Sequence, residues 1–599
     1  MVRPFIVTML GVLVSSSALA APGVQRHIDH IQHGLLPPVL VAGEPPKAIE
    51  LAARMAELQV PGVSVAVIHA GKLEWARGFG VVRLGGAPVT PETLFQAASI
   101  SKPVFAAAVM SLVQAGKLNL DTDVNQYLTS WKVPDNKYTQ DAKVTLGELL
   151  SHSAGVNVHG FEGYAAGERL PTLVQVLNGI GPANNAPIRV DSKPGTGFSY
   201  SGGGFVIAQQ LVIDVTGVAL PALMLDKVLA PFGMQHSTYE QPLPAERRAG
   251  VATPYGQSGL EVTGGPHIYP ELAAAGLWTT PSDLANFTIG IQQALSGKSQ
   301  RVLSTATARA MLTPKVQLHA LGVLTGGSPE HPYFTHGGAN EGYRCVLIAY
   351  DAGDGVVVMT NGDNGQQVVD EIVRTVAHEY GWPDFQPPTR ILAKVDSKVF
   401  DRYVGAYALP TGEIATFWRD GAHLNSRIWG QPVVELFPSS QNEYFAKDVD
   451  ARWRFSPATE QDSTAVAALS ESGGERSARS LSGSEVQAAV DASLAIAKRF
   501  KDQTPDPRGE AVLRHLIAGI VKGAPEYSEL SPSFAQLTRE VLPEVQRSLI
   551  PLGEVQSTSF LKVGAAGDDH YRVKFASGSR EFSIILDPNG RAYSVGFAP

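Results

Sequence analysis

FQAASISKPVFAAAVM, Phe95 to Met110, decides the fold. Two serines and a lysine sit at the head of an otherwise apolar run that the chain is about to bury. In a helix, residues i and i+3 project from one face. Ser99 and Lys102 therefore point the same way, at the amino end of a helix predicted from about Ser99 to Ala115 and stopped by Gly116. A serine hydroxyl is a weak nucleophile without an adjacent base. A lysine can serve as that base when neutral, and partial burial beside a positive helix terminus lowers its pKa. A solvated helix face has no need of the pair.

Spacing alone is a weak signal, because Ser-x-x-Lys arises by chance about once or twice in a chain of this length. Ser559-Phe560-Leu561-Lys562 is a second copy. Its surroundings predict a strand, where i and i+3 face opposite ways, so that copy cannot form the pair.

The chain has 599 residues, enough for two to four domains. It is 44% hydrophobic and 17% charged, with 48 basic and 56 acidic residues and a net charge of −8. No basic footprint for nucleic acid is present. Arg3, the apolar run Phe5 to Val14 and the small residues ending Ala18-Leu19-Ala20 form a secretory leader, residues 1–20, with an A-x-A cleavage site. The run is too short to span a bilayer, so no membrane span is expected after its removal. The single cysteine, Cys345, excludes an intrachain disulfide. The expected location is the periplasm or the medium.

Strands are expected at Gly62 to Ile68, Lys72 to Val82, Val346 to Tyr350 and Gly355 to Thr360, with a mostly helical block between the two pairs and an amphipathic helix at Gln366 to Tyr380. WPDFQPPTR, Trp382 to Arg390, carries three prolines and reads as a linker. Short alternating segments over 390–482, with a hairpin turn at Gly473-Gly474, read as a small antiparallel barrel. Residues 484–599 read as helices followed by strands. The fold class is α/β: an antiparallel sheet flanked by helices with an inserted all-helical subdomain over 35–385, then a small antiparallel β-barrel and a C-terminal α+β module.

Further landmarks follow in order: LLSHSAG (Leu149 to Gly155), Tyr200-Ser201-Gly202, GLWTTPSDLANF (Gly276 to Phe287) and His336-Gly337-Gly338. With the Ser99 segment, they resemble the serine β-lactamase and penicillin-binding-protein superfamily, in its class C branch, across roughly residues 35 to 385. The barrel resembles lipocalin-like domains appended to such hydrolases. The last module loosely resembles cystatin- or nuclear-transport-factor-2-like folds.

The resemblance implies roles. Ser99 becomes the acyl-enzyme, Lys102 takes its proton, and Tyr200 passes protons to the leaving group and to water. His336 stands in the third motif. The backbone N–H groups of Ser99 and Ala339 form the oxyanion hole. Gly337, Gly338, Ser201 and Asn340 contact substrate. No cofactor and no metal are expected.

Two departures stand out. Gly202 replaces the family's asparagine, and His336 replaces a lysine that supports carboxylate recognition. Both argue against efficient β-lactam hydrolysis and agree with esterases and D-amino-acid peptidases of the superfamily. Other signatures fail: G-x-S-x-G and HExxH are absent, and Gly297-Lys298-Ser299 lacks the upstream P-loop glycine, with Gln292 in its place. His27, His30 and His33 read as a solvated helix face rather than a metal site. Cys345 reads as an inert buried thiol. Trp418, Trp429 and Trp453 read as core rather than a ligand-stacking face.

The expected function is an exported serine hydrolase acting on a small-molecule ester or a D-amino-acid amide or peptide. The rivals are a weak β-lactamase or D,D-peptidase and, from another class, a non-catalytic binder of cell-wall fragments. A homo-oligomer is compatible with the sequence.

Overall fold

The computed structural model describes residues 22–410, 413–456, 466–471, 474–481 and 484–598. The expected leader, its expected cleavage site at Ala20 and the Gly473 half of the expected hairpin turn lie outside them.

Six antiparallel strands form the central sheet, in the order Lys72–Gly80, Gly62–His69, Gly355–Thr360, Tyr343–Tyr350, His331–Asn340 and Leu324–Ser328. Side chains alternate across a strand, and here both faces are buried. Val356 and Val358 join a core with Ile28, Ile31 and Ile372, whereas Val357 and Met359 join a larger core with Phe105, Phe205 and Phe287. The first face carries the helices Pro22–His33 and Gly365–Glu379. The second carries Ser101–Gln114, Gly202–Thr216 and Pro281–Leu295. Ser101–Gln114 is buried nearly all round, as its lack of a polar stripe requires.

Two readings need correction. The histidines of the first helix are not simply solvated. His27 and His30 both reach Glu379 at 2.8 Å, and His33 reaches Glu50 at 2.7 Å, so the helix is clamped to its neighbours. The Trp382–Arg390 segment is not wholly a linker: Trp382 is buried against Tyr350 in the core, and Thr389–Arg390 pairs with Leu40–Val41. The three tryptophans are all buried, as expected of core residues: Trp453 fills the barrel interior, while Trp429 lies under Arg427 and beside Tyr593 of the last module.

Eight strands from Gly405 to Ser480 close into an antiparallel barrel, each pairing with the next and the last with the first. Its interior is filled by Tyr407, Phe417, Tyr444, Trp453 and Phe455. The last module packs the helices Gly509–Lys522 and Pro532–Leu549 on a four-stranded sheet, with Ser484–Asp502 placed against the barrel.

The modules dock on one another through specific contacts. Arg427 of the barrel donates to Ala566 O at 2.7 Å, and Thr416 and Ser493 share a hydrogen bond at 2.8 Å. Ser258 donates to Glu581 at 2.6 Å, Lys562 to Gln257 O at 2.6 Å, and Ser548 to Glu162 at 3.0 Å. The last module therefore sits on the hydrolase domain itself. Among the described residues, no single helix is long and apolar enough to cross a membrane.

Candidate active site

Ser99 lies on a short 3-10 turn, Ala98–Ile100, that runs straight into the Ser101–Gln114 helix. The expected helix therefore begins two residues late, but the i, i+3 relation survives. Lys102 Nζ is 3.0 Å from Ser99 Oγ and donates to Ala274 O at 2.8 Å. Lys102 is 2% exposed, whereas Ser99 remains partly accessible. A desolvated amine thus touches a hydroxyl that substrate can reach.

The turn is held rigidly. Ser101 Oγ donates to Ala98 O at 2.6 Å and accepts from Leu277 N–H at 3.0 Å, while Ala97 N–H donates to Leu277 O at 2.9 Å. Tyr239 donates to Ser101 O at 2.7 Å. Ala98 has φ +48°, a left-handed conformation that costs a non-glycine residue on the order of 1 kcal/mol. The strain sits one residue before Ser99.

Tyr200 precedes the Gly202–Thr216 helix, whose start is capped by Ser201 accepting from Gly204 N–H. Lys102 Nζ stands 5.0 Å from the Tyr200 ring centroid, so the phenol meets the lysine through its ring face. The Tyr200 hydroxyl has no hydrogen-bond partner among the described residues. Phe105 and Phe205, one on each central helix, meet edge to face at 6.2 Å and fix the two helix starts relative to each other.

His336 lies on the third wall, with its ring centroid 6.3 Å from that of Tyr200. Its Nδ1 is 2.6 Å from Gly337 O. A carbonyl can only accept, so the neutral ring carries its proton on Nδ1 and leaves Nε2 as an acceptor. Desolvation, then the neighbouring Lys102 charge, hold its pKa well below the usual imidazole range. The ring is partly open to solvent along the strand, so the direction of this shift carries the conclusion: His336 is neutral.

The strand from His336 to Asn340 extends past its last pairing with Leu324–Ser328, which ends at Thr335. Gly338 lies directly against the turn that carries Ser99, where an added Cβ would sit 2.3 Å from Ala97 O and 2.4 Å from Cys345 Sγ. Gly337 is exposed and has room. Cys345 itself donates to Ala97 O at 3.2 Å, and burial pushes its thiol up to about 12, the inert state expected of it.

Two expected substrate contacts are otherwise engaged. Ser201 is 2% exposed, and its hydroxyl donates to Asn157 O at 2.7 Å while capping the helix. Asn340 is 6% exposed and donates to Gln96 Oε1 at 2.7 Å and Ala275 O at 3.2 Å. Both side chains brace the site from behind. The space beside Gly202 is tight: a Cβ there would lie 3.0 Å from the Phe161 ring and 3.1 Å from His159 O.

Sequence reasoning missed His152 and His159. Their rings lie 4.2 and 4.8 Å from the Tyr200 ring, the first stacked and the second tilted. His152 stood inside the quoted LLSHSAG landmark, but nothing local announces a contact with Tyr200. It also missed Ala274, whose carbonyl anchors the lysine.

A cavity of about 340 Å³ opens beside Ala339, lined by Phe161, Glu162, Tyr269, Glu341 and Arg344. A second, of about 220 Å³, shares Glu341 and Arg344 and takes its other wall from His570, Phe582 and Phe597 of the last module. Among the described residues no group of side chains could hold a metal ion.

The chain is similar to several known proteins. Over 261 residues the chain is 30% identical to Penicillin-binding protein 4 of Amycolatopsis lactamdurans, covering 43% of this chain and 66% of that one. Over 421 residues it is 23% identical to Penicillin-binding protein 4* of Bacillus subtilis (strain 168), covering 65% and 89%. A solved octameric penicillin-binding protein homologue from Pyrococcus abyssi is 21% identical with a TM-score of 0.49, covering 71% of this chain and 98% of that one. The family model described as Beta-lactamase matches residues 50–379, more than half the chain and the whole Ser99–Lys102–Tyr200–His336 constellation, so the chain belongs to the β-lactamase family of serine hydrolases.

Proposed function

We propose that the protein is an exported serine hydrolase that cleaves esters, and secondarily D-amino-acid amides, through an acyl-enzyme on Ser99. The observation that carries the reading is the 3.0 Å contact between Ser99 Oγ and the desolvated Lys102 Nζ. With Lys102 as the amine, Ser99 Oγ attacks the carbonyl carbon and its proton passes to Nζ. Ala274 O keeps the lysine in place throughout. The oxyanion is held by the N–H groups of Ser99 and Ala339, each such donor being worth about 10²–10³ in rate. Tyr200 hands a proton to the departing oxygen or nitrogen. Water then adds to the ester on Ser99, gives up its proton through the same groups, and restores the serine.

The preference for esters rests on two features of the walls. His336 is neutral and offers no cation to a leaving-group carboxylate. Gly202 offers no side-chain amide to an acyl group, and the Phe161 ring lies 3.0 Å from where its Cβ would be. Export rests on the leader at residues 1–20.

The test is labelling with a fluorophosphonate followed by a substrate panel. We expect one adduct on Ser99 by mass spectrometry, absent in Ser99→Ala, and turnover of p-nitrophenyl esters well above that of a chromogenic cephalosporin or D-Ala-D-Ala peptides. Equal cephalosporin turnover would reverse the order of substrates. No adduct at all would favour the non-catalytic binder.

A further inference from the structure

The constellation needs Tyr200 held against Lys102, yet Tyr200 lies in a stretch with no regular secondary structure, just before a helix. One residue grips it from both sides. Ser199 N–H donates to His152 O at 2.8 Å, and Ser201 N–H donates to His152 Nδ1 at 3.0 Å. Between these two bonds the His152 ring stacks on the Tyr200 ring, with centroids 4.2 Å apart and planes 27° from parallel. The histidine thus binds the residue before Tyr200, the residue after it and its ring.

His152 is itself firmly placed. It is 5% exposed, and its backbone has φ +58°, a conformation uncommon outside glycine that persists only where surroundings enforce it. Ser151 and Ser153 on either side share a hydrogen bond at 3.0 Å, and Ser153 N–H donates to Glu148 O at 2.9 Å. Because Nδ1 accepts from Ser201, the neutral ring carries its proton on Nε2, which is buried with no partner among the described residues. Desolvation and the nearby Lys102 keep the ring neutral, so the acceptor for Ser201 persists across working pH.

We propose that His152 is a positioning residue that holds the Tyr200 phenol in register with Ser99 and Lys102. It acts through Tyr200 and touches no reacting atom. The proposal rests on the reading of Ser99 as nucleophile and Tyr200 as proton relay. A displacement of about 1 Å in such a group typically costs about 10²-fold in rate.

The test is a double-mutant cycle on p-nitrophenyl acetate, with rates expressed per Ser99 titrated by fluorophosphonate. His152→Gly suits the positive φ and removes both ring and acceptor. His152→Asn also tolerates positive φ and keeps an acceptor but no ring. We expect His152→Gly and Tyr200→Phe each to lower kcat by about 10²-fold, with His152→Asn between His152→Gly and the parent. The double variant should fall no more than about 3-fold below Tyr200→Phe alone, as for groups acting as a unit. A role confined to the fold would instead leave His152→Gly active, its backbone strain relieved, or would multiply the two losses. Either result overturns the proposal. If His152→Gly fails to fold, the cycle with His152→Asn decides on the same criterion. A parent that takes no fluorophosphonate on Ser99 would remove the serine-hydrolase reading and this proposal with it. A parent that labels and turns over while the losses multiply would remove only the role of His152.

Discussion

Gly337 and Gly338 are neighbours with opposite tolerances. An alanine methyl at 338 would enter Ala97 O and Cys345 Sγ, pushing the strand off the turn that carries Ser99, while at 337 the nearest atom is Cys345 O at 3.9 Å. We expect Gly338→Ala to lose at least about 10²-fold in ester turnover through displacement of the turn that carries Ser99, the proposed nucleophile. Gly337→Ala should keep its fold and its fluorophosphonate labelling; parallel labelling rates check both. At this scale the sequence was partly legible. The Ser99–Lys102 spacing could be read because a helix brings i and i+3 together whatever surrounds them. Ser201 and Asn340 could not, because a residue's place in a motif does not reveal that its polar atoms are already bound to Asn157 or Gln96. His152 was hidden for a related reason: its partner lies in a distant segment, and only the tertiary fold stacks the rings.

The short helix Leu272–Ala275 links an unused titratable group to the site. Its carbonyls at Ala274 and Ala275 hold Lys102 and Asn340, and its preceding residue, Glu271, is fully buried with both carboxyl oxygens unpartnered among the described residues. Burial pushes the Glu271 carboxyl from 4.5 up to about 8. The folded chain therefore keeps a proton that the unfolded chain releases, and stability falls as pH rises from about 4.5 towards about 8, by about 1.4 kcal/mol per pH unit where only the unfolded form is ionised. We expect Glu271→Gln to raise the melting temperature, and to do so more at pH 8 than at pH 5, as read by calorimetry. Elements themselves were the most legible level, since periods of 2 and 3.6 are local. The Trp382–Arg390 segment was the exception: its prolines signalled a linker, but burial of Trp382 draws its first residues into the core.

At the scale of the molecule, domain order could be read from composition and turn signals, but docking could not, because it depends on complementary surfaces far apart in sequence. Arg427 illustrates this. It is 1% exposed, bonded to Gln431 O and Ala566 O, and placed 4.6 Å from the centre of the Trp429 ring, at the seam between barrel and last module. Removing it breaks a charge-assisted hydrogen bond to the half-buried Ala566 carbonyl, a loss of about 1.5–3 kcal/mol. Chains with several cores often unfold in more than one step. We expect Arg427→Ala to lower the transition of the barrel and last module in differential scanning calorimetry while leaving the hydrolase transition and the labelling of Ser99 in place. The last module also walls the 220 Å³ cavity that shares Glu341 and Arg344 with the cavity at Ala339, which brings an appended domain close to the end of the His331–Asn340 strand.

The ring of Phe161 against Gly202 also bears on redesign of the site. A Cβ at 202 would sit 3.0 Å from that ring and 3.1 Å from the His159 carbonyl, so any side chain there requires its neighbours to give by a few tenths of an ångström. An engineer who wants an amide at 202 gains that room by exchanging Phe161 for a smaller residue in the same step.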